Sequence, residues 1–224
     1  MSDQETEEVW KPKTKLGRKV ASGQVTSIEE AMRGSDPIME PEIVDQLVDL
    51  DEEVMLIGGT PGKGGGKSRT VSKRTARMHK SGARYNTKAM VVVGDRNSVI
   101  GLGYGEANDT RAAIESATRE AKLNLIEAQH GSGSWEDSES HQSSIPIRSE
   151  AKSGSVTVQL KPAPKGTGLA ASDDVKKVLE LGGISDVWVT SQGQTRTREN
   201  LIKAVFQALK QINEVVDDDS SSQS

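Results

Sequence analysis

The chain has 224 residues, room for one large domain or two small ones, but only 33% of them are apolar and Phe206 is its one phenylalanine. It has no cysteine, which rules out disulfides, thiolate nucleophiles and Cys-ligated zinc, and no apolar run of about eighteen residues that could span a membrane. The net charge is −4, which would argue against a polyanion partner if the charges were evenly mixed.

They are not. The opening stretch, MSDQETEEVW, is acidic and polar, the reverse of a secretion signal, so the expectation is a cytoplasmic protein. Residues 1–9 read as a disordered acidic tail, and residues 10–51 as an extension with short helices. Within it, residues 11–19 carry five cations and no acid, while residues 29–53 carry ten acids against Arg33 alone. Ser27 with Glu30 forms a capping box that opens a helix over 28–33. Pro41 fits the first turn of a second helix with Ile43, Val44, Leu47 and Val48 on one face. Two such helices are expected to lie on something else, since they cannot bury a core alone.

Residues 52–130 read as strands followed by one helix. Val54-Met55-Leu56-Ile57 is a short strand, and a flexible basic loop, 59–84, follows it. From Val54 to Gly94 there is no acid and there are nine cations. An apolar strand ends at Val91-Val92-Val93-Gly94-Asp95, turns through Asp95 to Ser98, and returns from Val99 to Gly105. Asn108 or Asp109 caps a helix whose apolar positions are Ile114, Ala117, Ala121 and Leu125. Residues 131–144 read as a linker, and 145–213 as a second α+β domain. There, Val156, Val158 and Leu160 alternate as a strand should. A helix opens at Ser172 and closes at Gly182-Gly183, a strand covers 186–190, and a last amphipathic helix carries Leu201, Ala204, Val205, Ala208, Leu209 and Ile212. Residues 214–224 read as a second disordered acidic tail.

Enzyme chemistry finds weak support. Pro61-Gly62-Lys63-Gly64-Gly65-Gly66-Lys67-Ser68 ends like a phosphate-binding loop, but Pro61 holds the place of the required first glycine. The stretch after Ser68 has no apolar face to form the helix such a loop needs. Gly101, Gly103 and Gly105 resemble half of a dinucleotide fingerprint; in a strand such glycines mark a bulge or a close backbone approach, for example to RNA. His79, His130 and His141 are dispersed, with no liganding or catalytic spacing. The basic run is the strong signal, suited to phosphates rather than base edges.

The segment MVVVGDRNSVIGLGYGEANDTRAAIESATREAKLNLI, residues 90–126, resembles ribosomal protein S-five of the small subunit, in its archaeal-type branch. The shared pattern is Ser81-Gly82-Ala83-Arg84, Gly94-Asp95, the glycines from Gly101 to Gly105, and Lys122 with Asn124. Further similarity runs through GSGSWE (131–136), KSGSVTVQLKPAPKGTGLA (152–170), VLELGGISDVW (178–188) and TRTRENLIKAVFQAL (195–209). The stretches WKPKTKLGRKV (10–20) and EPEIVDQLV (40–48) resemble the archaeal and eukaryotic extension.

The resemblance implies an α+β fold in two parts. The first is a double-stranded-RNA-binding-like domain of three strands and a helix. The second is a four-stranded sheet with two helices and a left-handed βαβ crossover. It also implies a non-enzymatic structural constituent of the small subunit, without cofactor or metal. Such a protein binds ribosomal RNA near the channel by which messenger RNA enters, touches neighbours of the S-four and S-eight families, and supports assembly and decoding accuracy. The RNA-contacting residues expected here are Lys11, Lys13, Lys15 and Arg18 in the extension, and Lys63, Lys67, Arg69, Lys73, Arg74, Arg77, Lys80 and Arg84 in the basic loop. Ala83 departs from the usual arginine, and Ser98 stands where a turn glycine is customary. The alternatives are a nucleotide-binding enzyme using Lys67 and Ser68, and a free regulator that binds double-stranded RNA.

Overall fold

The computed structural model describes residues 10–34, 36–61, 67–133 and 142–221. The expected tail 1–9 lies outside the described residues, as do 222–224 of the second tail. The chain forms two compact units, Met1–Asp49 and Leu50–Ser224.

The first unit holds three helices, α1 (Lys15–Ala21), α2 (Ile28–Arg33) and α3 (Pro41–Leu47). Ser27 Oγ caps α2 by accepting from the Glu30 amide at 3.2 Å, and Pro41 occupies the first turn of α3, both as the pattern predicts. No helix is predicted at α1, because Leu16 and Val20 alone are too short a periodic signal among lysines. With α1 in place the extension does bury a small core of its own, against expectation. Leu16, Val20, Ala31 and Ile43 form it, ringed by Trp10, Val25, Ile38 and Leu47. Glu40 ties the unit together, accepting from Trp10 Nε1 at 2.9 Å and from the amides of Lys13 (2.9 Å) and Thr14 (2.6 Å). Burial opposes the Glu40 charge, but these donors outweigh it and hold the carboxyl below its usual range.

In the second unit come β1 (Asp51–Val54), β2 (Gly58–Pro61), β3 (Lys67–Thr70), β4 (Ser72–His79), β5 (Gly82–Gly94), β6 (Val99–Ala107), α4 (Thr110–Leu123) and β7 (Leu125–Glu127). The first sheet runs β1-β5-β6-β7, all antiparallel, with β4 also on β5. One edge of the long β5 is shared: β4 pairs its outer half, Gly82–Ala89, and β1 its inner half, Val91–Gly94. The predicted strand at 54–57 is displaced to Asp51–Val54. Cross-links favour that acidic edge, with Asp51 to Arg96 at 2.5 Å, Glu52 to Lys122 at 3.4 Å, and Glu53 to Lys177. Met55 leaves the strand and is buried.

The valine run of β5 is apolar throughout because both of its faces are covered. Val91 and Val93 face α4 together with Ala117 and Ala121. Met90 and Val92 face the other way, into the large core shared with the second sheet. The β5–β6 turn is held by Asp95 Oδ1, which accepts from the amides of Asn97, Ser98 and Val99 at 2.8–2.9 Å. Arg96, not Ser98, carries the positive φ there, at 58°.

The second sheet is built from β8 (Ser149–Ser153), β9 (Val156–Pro162), β10 (Leu169–Ala170) and β11 (Val187–Gln192), in the order β10-β11-β9-β8. β10 and β11 are parallel and joined through α5 (Asp173–Leu181), the βαβ unit; the other pairs are antiparallel. A final helix, α6 (Arg198–Ser221), packs on β8 and β9. All six of its predicted core residues, Leu201, Ala204, Val205, Ala208, Leu209 and Ile212, are buried. The helix does not stop at 213 but continues to Ser221, through residues expected in the tail. The described ends of the expected linker are anchored rather than loose. Gly131 bridges to Ser144, whose buried Oγ accepts from the Ala163 amide at 3.0 Å, and Ser143 Oγ donates to Asp186 at 2.7 Å.

Candidate nucleic-acid interface

The basic stretch expected as a flexible loop is mostly a regular two-stranded ribbon. β4 and β5 pair residue for residue from Ser72↔Ala89 to His79↔Gly82, and Lys80 and Ser81 form a two-residue turn. Gly82 follows with φ 116°. Sequence patterning misses this because the outer ribbon covers no core. Every residue from Ala76 to Asn86 is exposed, so no apolar–polar alternation marks the strands. The usable signal is a different alternation, of cations against small or apolar side chains.

Pairing sorts the ribbon into two faces, because side chains alternate along a strand. One carries Lys73, Thr75, Arg77 and His79 opposite Lys88, Asn86, Arg84 and Gly82. Of these, Thr75, Arg77, His79, Arg84, Asn86 and Lys88 line a groove of about 450 Å³, together with Ala76 and, at its inner end, Glu106. The other face carries Arg74, Ala76 and Met78 opposite Thr87, Tyr85 and Ala83.

The cations divide by role. At the base of the ribbon they are committed to internal partners. Lys88 pairs with Glu106 at 3.3 Å, and its hydrogen bonds to Tyr104 and Glu106 raise its pKa above the usual lysine value. Lys73 reaches Glu199 of α6 at 3.7 Å. Glu199 also binds Lys203 at 3.3 Å, and Lys203 lies 4.6 Å above the Tyr104 ring. This chain of contacts ties the ribbon's root to the second sheet's helix. Further out, Arg77, Lys80 and Arg84 have no carboxylate partner among the described residues, and Arg74 lies 4.0 Å above the Tyr85 ring.

The remaining expected contacts are placed less completely. Arg69 is exposed on β3. Lys67 opens β3, and Lys63 lies outside the described residues. Lys11, Lys13, Lys15 and Arg18 are all exposed in the first unit. Tyr85, Asn86 and Lys88 belong to the ribbon surface and were not among the expected contacts; Asn86 and Lys88 follow Arg84 at period two and share its face, which is the signal that could have found them, whereas Tyr85 falls on the opposite face.

The local geometry on either side of the glycine-rich segment does not support the nucleotide-binding alternative. Gly58–Pro61 and Lys67–Thr70 pair antiparallel, with Pro61 opposite Lys67, while 62–66 lie outside the described residues. A phosphate-binding loop instead joins a strand to a helix whose N-terminus faces the phosphates, and none follows Ser68. The strand glycines serve the fold, not RNA. A Cβ on Gly101, Gly103 or Gly105 would collide with the carbonyl oxygen of Ala121, Ala117 or Ala113 respectively. Four helix residues rise about 6 Å and two strand residues about 6.8 Å, so the two series stay in step over three contacts. Among the described residues no group of three or more His, Asp or Glu is placed to hold a metal ion.

Residues 62–129 match the family described as "Ribosomal protein S5, N-terminal domain", and residues 151–221 match "Ribosomal protein S5, C-terminal domain". The chain is similar to "Small ribosomal subunit protein uS5" of Methanocaldococcus jannaschii, 44% identical over 91% of this chain and 88% of that protein. The same protein of Nanoarchaeum equitans is 46% identical over 93% and 90%, and that of Methanoregula boonei 45% over 91% and 93%. The chain belongs to the ribosomal protein S5 family.

Within this S5 chain the resemblance motifs acquire physical roles. Asn124 caps α4 and donates from Nδ2 to the Leu102 carbonyl at 2.9 Å, pinning the helix end to β6. Gly94 meets the Leu181 carbonyl so closely that a Cβ there would collide with it. The Gly-Asp pair 94–95 therefore joins the two sheets: Gly94 admits α5, and Asp95 holds the turn beside it.

Proposed function

We propose that this protein is a structural component of the small ribosomal subunit, without catalytic residues, and that the β4–β5 ribbon is its main ribosomal-RNA contact. The observation that carries this reading is the outer ribbon itself. It is acid-free, exposed on both faces, and presents Arg77, Lys80 and Arg84 with no internal partner among the described residues. Forcing cations together without counter-charge is unfavourable unless a polyanion neutralises them. Arginines in a groove suit phosphate oxygens, which they can grip with two N–H groups at once. Lys73 and Lys88 serve chiefly to fix the ribbon's root, so the distal residues carry most of the phosphate contacts. Lys67 and Arg69 of β3, together with Lys63, add to them, and Lys11, Lys13, Lys15 and Arg18 form a second basic surface on the extension.

The family supports a location beside proteins of the S-four and S-eight families, near the channel by which messenger RNA enters, with an influence on decoding accuracy. The test of the core reading is the salt dependence of binding to small-subunit ribosomal RNA. Removing one cation that neutralises a phosphate should lower the slope of log affinity against log salt by about one. Arg77→Ala with Arg84→Ala should therefore lower it by about two, while Lys88→Ala changes it less. An unchanged slope in the double variant would remove the ribbon from the interface.

A further inference from the structure

The second face of the ribbon is chemically unlike the first. It presents Arg74, Ala76, Met78, Ala83 and Tyr85, and its large side chains are open to solvent: Met78 is 78% exposed and Tyr85 49%. The chain has only two tyrosines and one phenylalanine, so a tyrosine standing on a solvated arm is not there to fill a core. The Arg74 guanidinium already lies over the Tyr85 ring, its central carbon 4.0 Å from the ring centroid.

We propose that this face is a base-stacking site: an unpaired RNA base piles onto Arg74 where it lies on Tyr85, with Met78 flanking the stack. The proposal rests on the reading of the ribbon as an RNA contact and adds to it that the two faces do different work. The grooved face, with Arg77 and Arg84, holds phosphates; the Tyr85 face holds bases. Stacking on aromatic rings and guanidinium planes is the usual way proteins engage unpaired bases, and it needs no hydrogen-bond readout. The occupant follows from charge complementarity. No acid occurs from Val54 to Gly94, so a polyanion approaches this face unopposed. The shape agrees. A stable protein interface takes about 800 Å² from each partner, whereas this face is two strands about 5 Å apart, enough for a stacked ring.

The experiment compares binding of the full chain to two single strands of about twelve nucleotides, oligoadenylate and an abasic ribose-phosphate of equal charge. The wild type should prefer the base-bearing strand by about tenfold, the order expected for one stacked base. Tyr85→Ala and Arg74→Ala should each reduce that preference severalfold, and Tyr85→Trp should keep it. Arg77→Ala with Lys80→Ala should weaken both strands alike and leave the preference standing. If Tyr85→Ala and Tyr85→Trp both leave the preference at its wild-type value, or if the wild type shows none, the stacking site is overturned. So it is if Tyr85→Ala instead strips a protein neighbour from purified subunits while RNA affinity holds. If the Arg77 and Lys80 variant leaves both affinities intact, the failure lies in the ribbon reading itself.

Discussion

The inner and outer halves of β5 belong to one unbroken strand, yet they obey opposite rules. From Ala89 to Gly94 every residue is buried, between α4 on one side and the shared core on the other. From Gly82 to Asn86 every residue is exposed, on both faces. The inner half is specified by what the chain itself supplies: valines, the alanine face of α4, and glycines that let the helix backbone approach. The outer half has no such partner within the chain, and backbone pairing with β4 and the polar contacts at its root give it shape. A strand that continues well past its own core is built for something the chain lacks, which is why charge rather than packing identifies its role.

The sharpest way to break the comparison is to place one side chain in the inner seam. Gly103→Val drives a branched side chain into the Ala117 carbonyl, where neither backbone can move independently. We expect about 3 kcal/mol of lost stability or failure to fold, read by thermal or urea unfolding. The outer half should show the reverse behaviour. Changing Arg74, Arg77, Lys80 and Arg84 together to Glu should leave the unfolding midpoint near that of the wild type, yet reduce RNA affinity by orders of magnitude at low salt. A large loss of stability in that variant would mean the ribbon is part of the fold after all.

The turns at the two ends of the strand offer a finer contrast. Asp95 accepts three amides at the buried end, so Asp95→Ala should cost about 2 kcal/mol. Ser81→Ala at the exposed turn should stay within about 0.5 kcal/mol. The smallest expected effect concerns pH. Hydrogen bonding from Asn86, then from Lys88, holds the Glu106 carboxyl below its usual range. A depressed carboxylate contributes stability above its unfolded-state pKa and loses it as pH falls through its folded-state value. Protection of the amides at the ribbon root, measured against their intrinsic exchange rates, should therefore fall on acidification, while that of the seam should hold. Glu106→Gln should remove the pH dependence, and an identical acid response in seam and root would dissolve the distinction.

Much of this architecture was legible in the sequence, and the parts that were not share a cause. Elements that bury a periodic face are readable: the helices α2, α4 and α5, the valine strand, and the whole core face of α6. Elements whose support comes from afar were not. α1 is too short for periodicity to show, β8 is the polar pentapeptide SEAKS held by its neighbour and by α6, and β1 is an acidic edge steadied by ion pairs from the β5–β6 turn, α4 and α5. The ribbon was visible as charge but not as structure, because a strand solvated on both faces leaves no hydrophobic pattern. The glycines of β6 stand out by their spacing, yet only the placement of α4 shows that they make room for a helix.

The most direct test of the ribbon's role is to express the chain and its fourfold glutamate variant, at Arg74, Arg77, Lys80 and Arg84, and to sediment lysates through a high-salt sucrose gradient. The wild type should travel with small subunits in stoichiometric amount, and the variant should remain in the soluble fraction while still folded by circular dichroism. A variant found in small subunits at wild-type stoichiometry would contradict the claim that the ribbon's cations hold this protein to RNA.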